Sequence, residues 1–151
     1  MSRLTRAGLQ SLGATDVRLF TTAFAHSSAQ RFGKQSDYFA KASASLDSLR
    51  QVGVRAGEVD VVCWPASLCA DLQHNSSVGS FARLFRASSG RAQNWVVQVD
   101  VLKLHYLQMA HAVALRFVYF ELDMLFVAHP ARLLDSMGPR QVPCHLTLTL
   151  R

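Results

Sequence analysis

Cys63, Cys69 and His74 stand close together in "CWPASLCADLQH", and thiolates with an imidazole are zinc ligands. Zinc sites favour cysteines two to four residues apart with a second close pair. Here five residues separate the cysteines and no second close pair follows, so the spacing reads as small buried thiols. With Cys144 as the third cysteine, the odd count argues against a closed disulfide framework. His105 and His111 are six apart and do not stack as an i,i+4 metal pair, while His129 and His145 are scattered. Asp100 and His105 with Ser27 or Cys63 have the groups of a nucleophilic triad, yet no nucleophile elbow supports one. Glu121 and Asp123 lie two apart and would diverge on a helix, so they are not read as an acid–base pair. Gly53 and Gly57 lack the pattern of a phosphate-cradling loop. These residues point away from an enzyme and imply no cofactor and no metal. Asn75-Ser76-Ser77 fits a glycosylation triplet; such triplets often arise by chance, and no secretory apolar core precedes it.

A chain of 151 residues suits about one domain. Half of it is apolar and only 17% is charged, too greasy for a wholly disordered chain. The net charge of +6, carried mostly by arginine, suits anionic partners such as RNA or acidic headgroups. Residues 1–36 hold Arg3, Arg6, Arg18, Arg31 and Lys34 against Asp16 alone, with many hydroxyl residues. That is the composition of a mitochondrial presequence, and "RLF" before Thr21 places the cut after Phe20. The expected divisions are therefore a leader at 1–20, a helical region with linker at 21–79, an apolar helical segment at 80–128 and an irregular tail at 129–151.

Residues 36–51 predict an amphipathic helix with Phe39, Ala42, Leu46 and Leu49 on one side. Residues 58–64 are β-branched enough for a short strand, and Pro65 suits the first turn of a helix through "ASLCADLQ". Residues 80–89 read as a helix placing Phe81, Leu84 and Phe85 on one face. Arg83 and Arg86 sit beside that face, able to meet RNA or anionic lipid. "HLTLTL" at 145–150 alternates as a terminal strand would.

The main apolar mass runs from Trp95 to Ala128 and is long enough for a bilayer crossing. Its cleanest window, Leu104–Phe120, contains His105, His111 and Arg116. A central arginine costs about 2.5–3.5 kcal/mol on insertion scales, so a lone helix would insert marginally. Arg116 would need a partner carboxylate or an interface, with Trp95, Tyr106 and Tyr119 as interface anchors. The alternative is a buried helix of a non-membrane core. Either form needs cover from neighbours, which points to a subunit of a larger assembly. The fold class expected is mainly α, helical and membrane-associated or complex-embedded.

"TAFAHSS" at 22–28 resembles the opening signature of ribonuclease III domains. "SDYFAKASASLDSL" stands where that family's acidic metal-binding helix belongs, so the resemblance implies no cleavage chemistry. A second stretch is longer. "LFRASSGRAQNWVVQVDVLKLHYLQ" through "RFVYF" is similar to the ATP-synthase-associated subunits of chlorophycean algae, with Trp95-Val96-Val97 and Arg116 to Phe120 in matching places. That resemblance implies a non-catalytic accessory subunit of the mitochondrial inner membrane, most simply of ATP synthase. Its contacts with other subunits or anionic lipid would fall to Arg83, Arg86, Trp95, Arg116, Tyr119 and Phe120. A subunit of the mitochondrial ribosome, or another RNA-bound matrix factor, is the alternative expectation.

Overall fold

Val59, Asp60, Val61, Val62 and Cys63 are buried in succession, on both sides of one strand. A strand buried on both faces needs a layer of structure above and below it. The computed structural model, which describes residues 2–3, 17–24, 35–87, 95–112 and 116–132, supplies both layers. In chain order the elements are β1 (Ser2–Arg3), β2 (Val17–Phe24), α1 (Gln35–Gln51), β3 (Val59–Trp64), α2 (Ala66–His74), α3 (Ser76–Gly79), β4 (Ala82–Arg86), α4 (Trp95–Ala112) and β5 (Arg116–Tyr119). They form a five-stranded sheet in the order β1-β4-β3-β2-β5, with parallel pairing throughout.

Strand alternation sorts the core into two layers. Leu19, Ala23, Val59, Val61, Cys63, Ala82 and Leu84 face one side and meet Ala42, Leu46 and Leu49 of α1 and Leu68, Cys69 and Leu72 of α2. Phe20, Val62 and Phe85 face the other side and meet Leu102, Tyr106 and Ala110 of α4. The buried positions of α4 recur every four residues, as one helix face requires. The chain thus moves from β2 to β3 to β4 with its helices on one face, then reverses past β2 to β5 with its helix on the other. Reversing direction and face together keeps one handedness, the condition that parallel crossovers obey.

The expected mainly α, membrane-associated fold is overturned: the protein is α/β. Segment 80–128 is not one helical body but β4, α4, β5 and the irregular chain after them. Among the described residues, no helix is long and apolar enough to cross a membrane. The physical reason is the parallel sheet. Its strands are apolar on both faces and lack the alternation that separates a strand from a buried helix. "RFVY" at β5 therefore merged with α4 into one apolar run. Residues 36–51 do form a helix, and Ala42, Leu46 and Leu49 are fully buried on it. Gly53 closes this helix with φ +93, where a side chain would be strained. The alternating segment 145–150 lies outside the described residues.

On the α4 side one buried acid gathers four elements. Asp60 of β3 is fully buried. Its Oδ1 accepts from Arg18 of β2 at 2.6 Å and from Arg83 Nε of β4 at 3.0 Å. Its Oδ2 accepts from the Tyr106 hydroxyl of α4 at 2.6 Å. Arg18 also donates to the carbonyl of Gly57 at 2.7 Å, and the Gly57 N–H donates to Phe81 O at 2.8 Å. Gly57 has φ +81, which suits this tight approach before β3. Above the network Phe20 stacks on Tyr106 with ring centroids 4.1 Å apart and meets Phe117 edge-on at 5.8 Å.

The leader boundary read from the sequence falls inside this arrangement. A cut after Phe20 would halve β2, remove Arg18 from Asp60 and remove the ring stacked on Tyr106. A chain beginning at Thr21 should therefore fail to show a cooperative thermal transition by circular dichroism. A transition matching that of the full chain would show that residues 1–20 are dispensable. Asp60→Asn should destabilise the fold by about 3–5 kcal/mol in urea unfolding, because it leaves two arginines around a neutral amide. A loss below about 1 kcal/mol, the scale of a surface pair, would show that Asp60 does not tie the layers together.

Candidate ligand-binding site

The strand order reverses between β2 and β5, and open α/β sheets bind ligands in the crevice beyond the carboxyl ends of strands at such a point. Phe20 pairs with Tyr119, and the Phe120 N–H still reaches Phe20 O at 3.0 Å. After Phe120 the two chains part. β2 continues through Thr22 to Phe24 while the chain leaving β5 turns away. The Met124 N–H donates to Glu121 O at 3.3 Å and closes that turn.

Leu122 is the anchor of the turn. It is buried with Phe120 in the core layer beneath α1, whereas its neighbours Glu121 and Asp123 are exposed. One apolar residue between two acids therefore leaves both acidic residues exposed at the turn beside the reversal. The exit from the turn is fixed as well. The Phe126 N–H donates to Ser48 Oγ of α1 at 3.0 Å, and the Phe126 ring meets Phe120 edge-on at 5.2 Å.

Polar groups from three elements lie near Glu121. Lys103 of α4 donates to Glu121 Oε1 at 3.1 Å and lies 4.4 Å from the Tyr119 ring centroid. The Tyr119 hydroxyl is 3.4 Å from Thr22 Oγ1. Burial pushes the Tyr119 phenol well above its ordinary range. The Thr22 hydrogen bond opposes that shift, and the carboxylates of Glu121 and Asp100 add to it. Tyr119 is thus a neutral hydrogen-bonding group at any ordinary pH.

No family model, curated protein or solved structure matches this chain. Its chemistry must be read from the site itself.

Of the residues proposed from sequence, Tyr119 lies at the reversal, paired with Phe20 and beside Thr22. Phe120 is buried beneath it in the core. Arg83 and Arg86 lie on a strand rather than a helix, three apart and hence on opposite faces. Arg83 is held by Asp60 and sits 5.4 Å over the Phe85 ring, which turns it from an RNA or lipid contact into part of the core. Trp95 opens α4 and Arg116 opens β5, and their side chains lie outside the described residues. Cys63 and Cys69 are joined in a disulfide, so Cys63 is neither a zinc ligand nor a nucleophile. Among the described residues no group of three or more metal-ligating side chains is gathered. Ser27 is outside them.

Sequence reasoning dismissed Glu121 and Asp123 because it placed them on a helix. The signal that could have found them was a short β-branched and aromatic run ending in acid–apolar–acid, the pattern of a strand leading into an anchored turn.

Burial and the Asp60 carboxylate likewise hold the Tyr106 phenol far above its ordinary range. A phenol raised in the folded state contributes stability that is complete below the free value of about 10 and is lost as pH climbs past it. Alkaline titration should therefore show Tyr106 and Tyr119 ionising only as near-ultraviolet dichroism collapses, with Tyr106→Phe and Tyr119→Phe assigning each signal. Ionisation of both near pH 10, with the fold intact, would contradict the geometry around them.

Proposed function

We propose that this chain binds a phosphate-bearing small molecule of the nucleotide class at the reversal between β2 and β5. The observation that carries the reading is the coincidence of two independent features. The strand order reverses there, and the anchored turn leaves Glu121 and Asp123 exposed, with Lys103 bonded to Glu121 and Tyr119 beside Thr22. The nucleotide class rests on topology by analogy, since the order β4-β3-β2 is that of a mononucleotide-binding half and β5 stands across the switch point from it. The residues supply the chemistry. Two carboxylates repel phosphate unless a cation lies between them, and magnesium is commonly held by one or two carboxylates together with substrate phosphates. The donor set suits a hard divalent ion, having acidic oxygens and hydroxyls and, among the described residues there, no soft ligand. Lys103 supplies a fixed positive charge next to the acids. The reading is one of binding, and the non-catalytic role expected from the sequence carries over into it.

A second reading, membership of a larger assembly, retains a specific observation in its favour. Val101 and Leu104 are 40% and 57% exposed on the outer side of α4, and Leu125 and Val127 are 61% and 85% exposed after the turn. A partner subunit covering these residues would account for them. The ATP synthase and the mitochondrial ribosome were the assemblies expected from the sequence.

Calorimetry of the full chain with a nucleoside diphosphate, with and without magnesium or manganese, tests the first reading. Binding should need the metal and should weaken at least about tenfold, roughly 1.4 kcal/mol, in the double variant Glu121→Gln, Asp123→Asn. Absence of binding, or equal binding by the variant, would remove the carboxylates from the proposed role.

A further inference from the structure

A separate signal starts from the covalent link between β3 and α2. The Cys63–Cys69 disulfide joins the carboxyl end of β3 to α2, with Cα atoms 5.4 Å apart and both residues fully buried. Disulfides form and persist in oxidising compartments and are rare where thiol reductants are abundant. The oxidation balances simply. Two thiols lose two protons and two electrons, and the electrons pass by exchange to an oxidised dithiol partner of the compartment.

Helix α2 then runs back along the sheet and ends at Asn75, the first residue of the triplet Asn75-Ser76-Ser77. Asn75 is partly exposed and lies between exposed His74 and exposed Ser76. Among the described residues its side chain is used in one sense only. Oδ1 accepts from the N–H groups of Ser77 at 3.1 Å and Val78 at 3.2 Å, capping α3. An N-linked sugar replaces a hydrogen on Nδ2 and leaves Oδ1 in place, so the cap and the modification are compatible.

We propose that Asn75 is an N-glycosylation site, and that the chain folds in the oxidising, glycosylating lumen of the secretory pathway. The sequon alone would be unremarked; the disulfide is what gives it a compartment. In the modification, a bond forms between Nδ2 and C1 of the sugar. The bond from C1 to the diphosphate oxygen of a lipid-linked oligosaccharide breaks, and the diphosphate leaves with the electron pair. One amide proton is released. The glycan would stand at the end of the sheet where β4 begins, away from Glu121 and Asp123, and would leave the crevice open. The inference does not rest on the nucleotide reading. It sets the lumen against the mitochondrial location expected from residues 1–20.

One tryptic peptide tests it. No lysine or arginine lies between Arg55 and Arg83, so Ala56–Arg83 contains Cys63, Cys69 and Asn75 together and excludes Cys144. The full chain, purified from the cells that make it and digested without reduction, should give this peptide with the disulfide closed and with a glycan. A peptide N-glycosidase, which hydrolyses the side-chain amide, should remove the glycan and leave aspartate in place of the asparagine. Ser77→Ala removes the sequon hydroxyl but keeps the backbone N–H that Asn75 caps. It should abolish the modified form completely and leave the melting temperature unchanged, whereas Asn75→Gln should abolish it and lower the melting temperature. A closed disulfide on a peptide with bare Asn75 would overturn the glycosylation site, as an oxidising space without the transfer machinery would give. Free thiols with bare Asn75 would overturn the compartment as well.

Discussion

The carboxylate of Asp60 has no access to water and depends wholly on its neighbours. An ionised acid in that position costs several kcal/mol unless charged and polar donors surround it. Those donors come from β2, β4 and α4, which meet only when the sheet is in register and α4 has crossed to its far face. The acid is thus less a source of stability than a condition on assembly. A one-residue slip of β2 or β4 would turn Arg18 or Arg83 to the other face and strand it there. The apolar contacts of Phe20, Val62, Phe85 and Leu102 supply the attraction, and Asp60 selects which arrangement they hold.

That selection reaches the crevice through a short path. Phe20 stacks on Tyr106, which donates to Asp60, and Phe20 also meets Tyr119 at 5.0 Å. Tyr119 in turn touches Thr22 and carries Lys103 over its ring. The polar groups beyond the strand ends are therefore borne on the same aromatic stack that sits over the buried acid. The two core layers meet the site from opposite sides, one through Tyr119 and the other through Leu122.

Parts of this were legible in the amino-acid sequence. Helix α1 followed from Ala42, Leu46 and Leu49, and the strand at 58–64 from its valines. The sheet as a whole was not. Val59, Val61, Val62 and Cys63 are apolar on both sides of β3 because both sides are covered, and periodicity disappears when nothing faces water. The unbroken apolar run Phe117-Val118-Tyr119 of β5 likewise made that strand and the helix before it look like one membrane-length segment. Arg83 misled for a related reason. An arginine beside aromatic residues looks like a surface contact until its acid, 23 positions away in the chain, is brought alongside. Asp60 itself drew no attention, since an acid within a valine run breaks the pattern without naming its partner. Cys63 and Cys69 were judged by their spacing and odd count, whereas the strand-to-helix turn sets their separation.

The burial of Leu122 has a thermodynamic consequence. Glu121 and Asp123 belong to a turn whose middle residue is held in the core and whose exit is bonded to Ser48. Loops that carry binding groups usually lose conformational entropy when a ligand fixes them, and affinity falls accordingly. Here that loss is incurred at folding, once, by the same contacts that close the layer beneath α1. The acidic edge is preorganised, and affinity for the proposed ligand would be set there by charge and hydration rather than by the ordering of the chain.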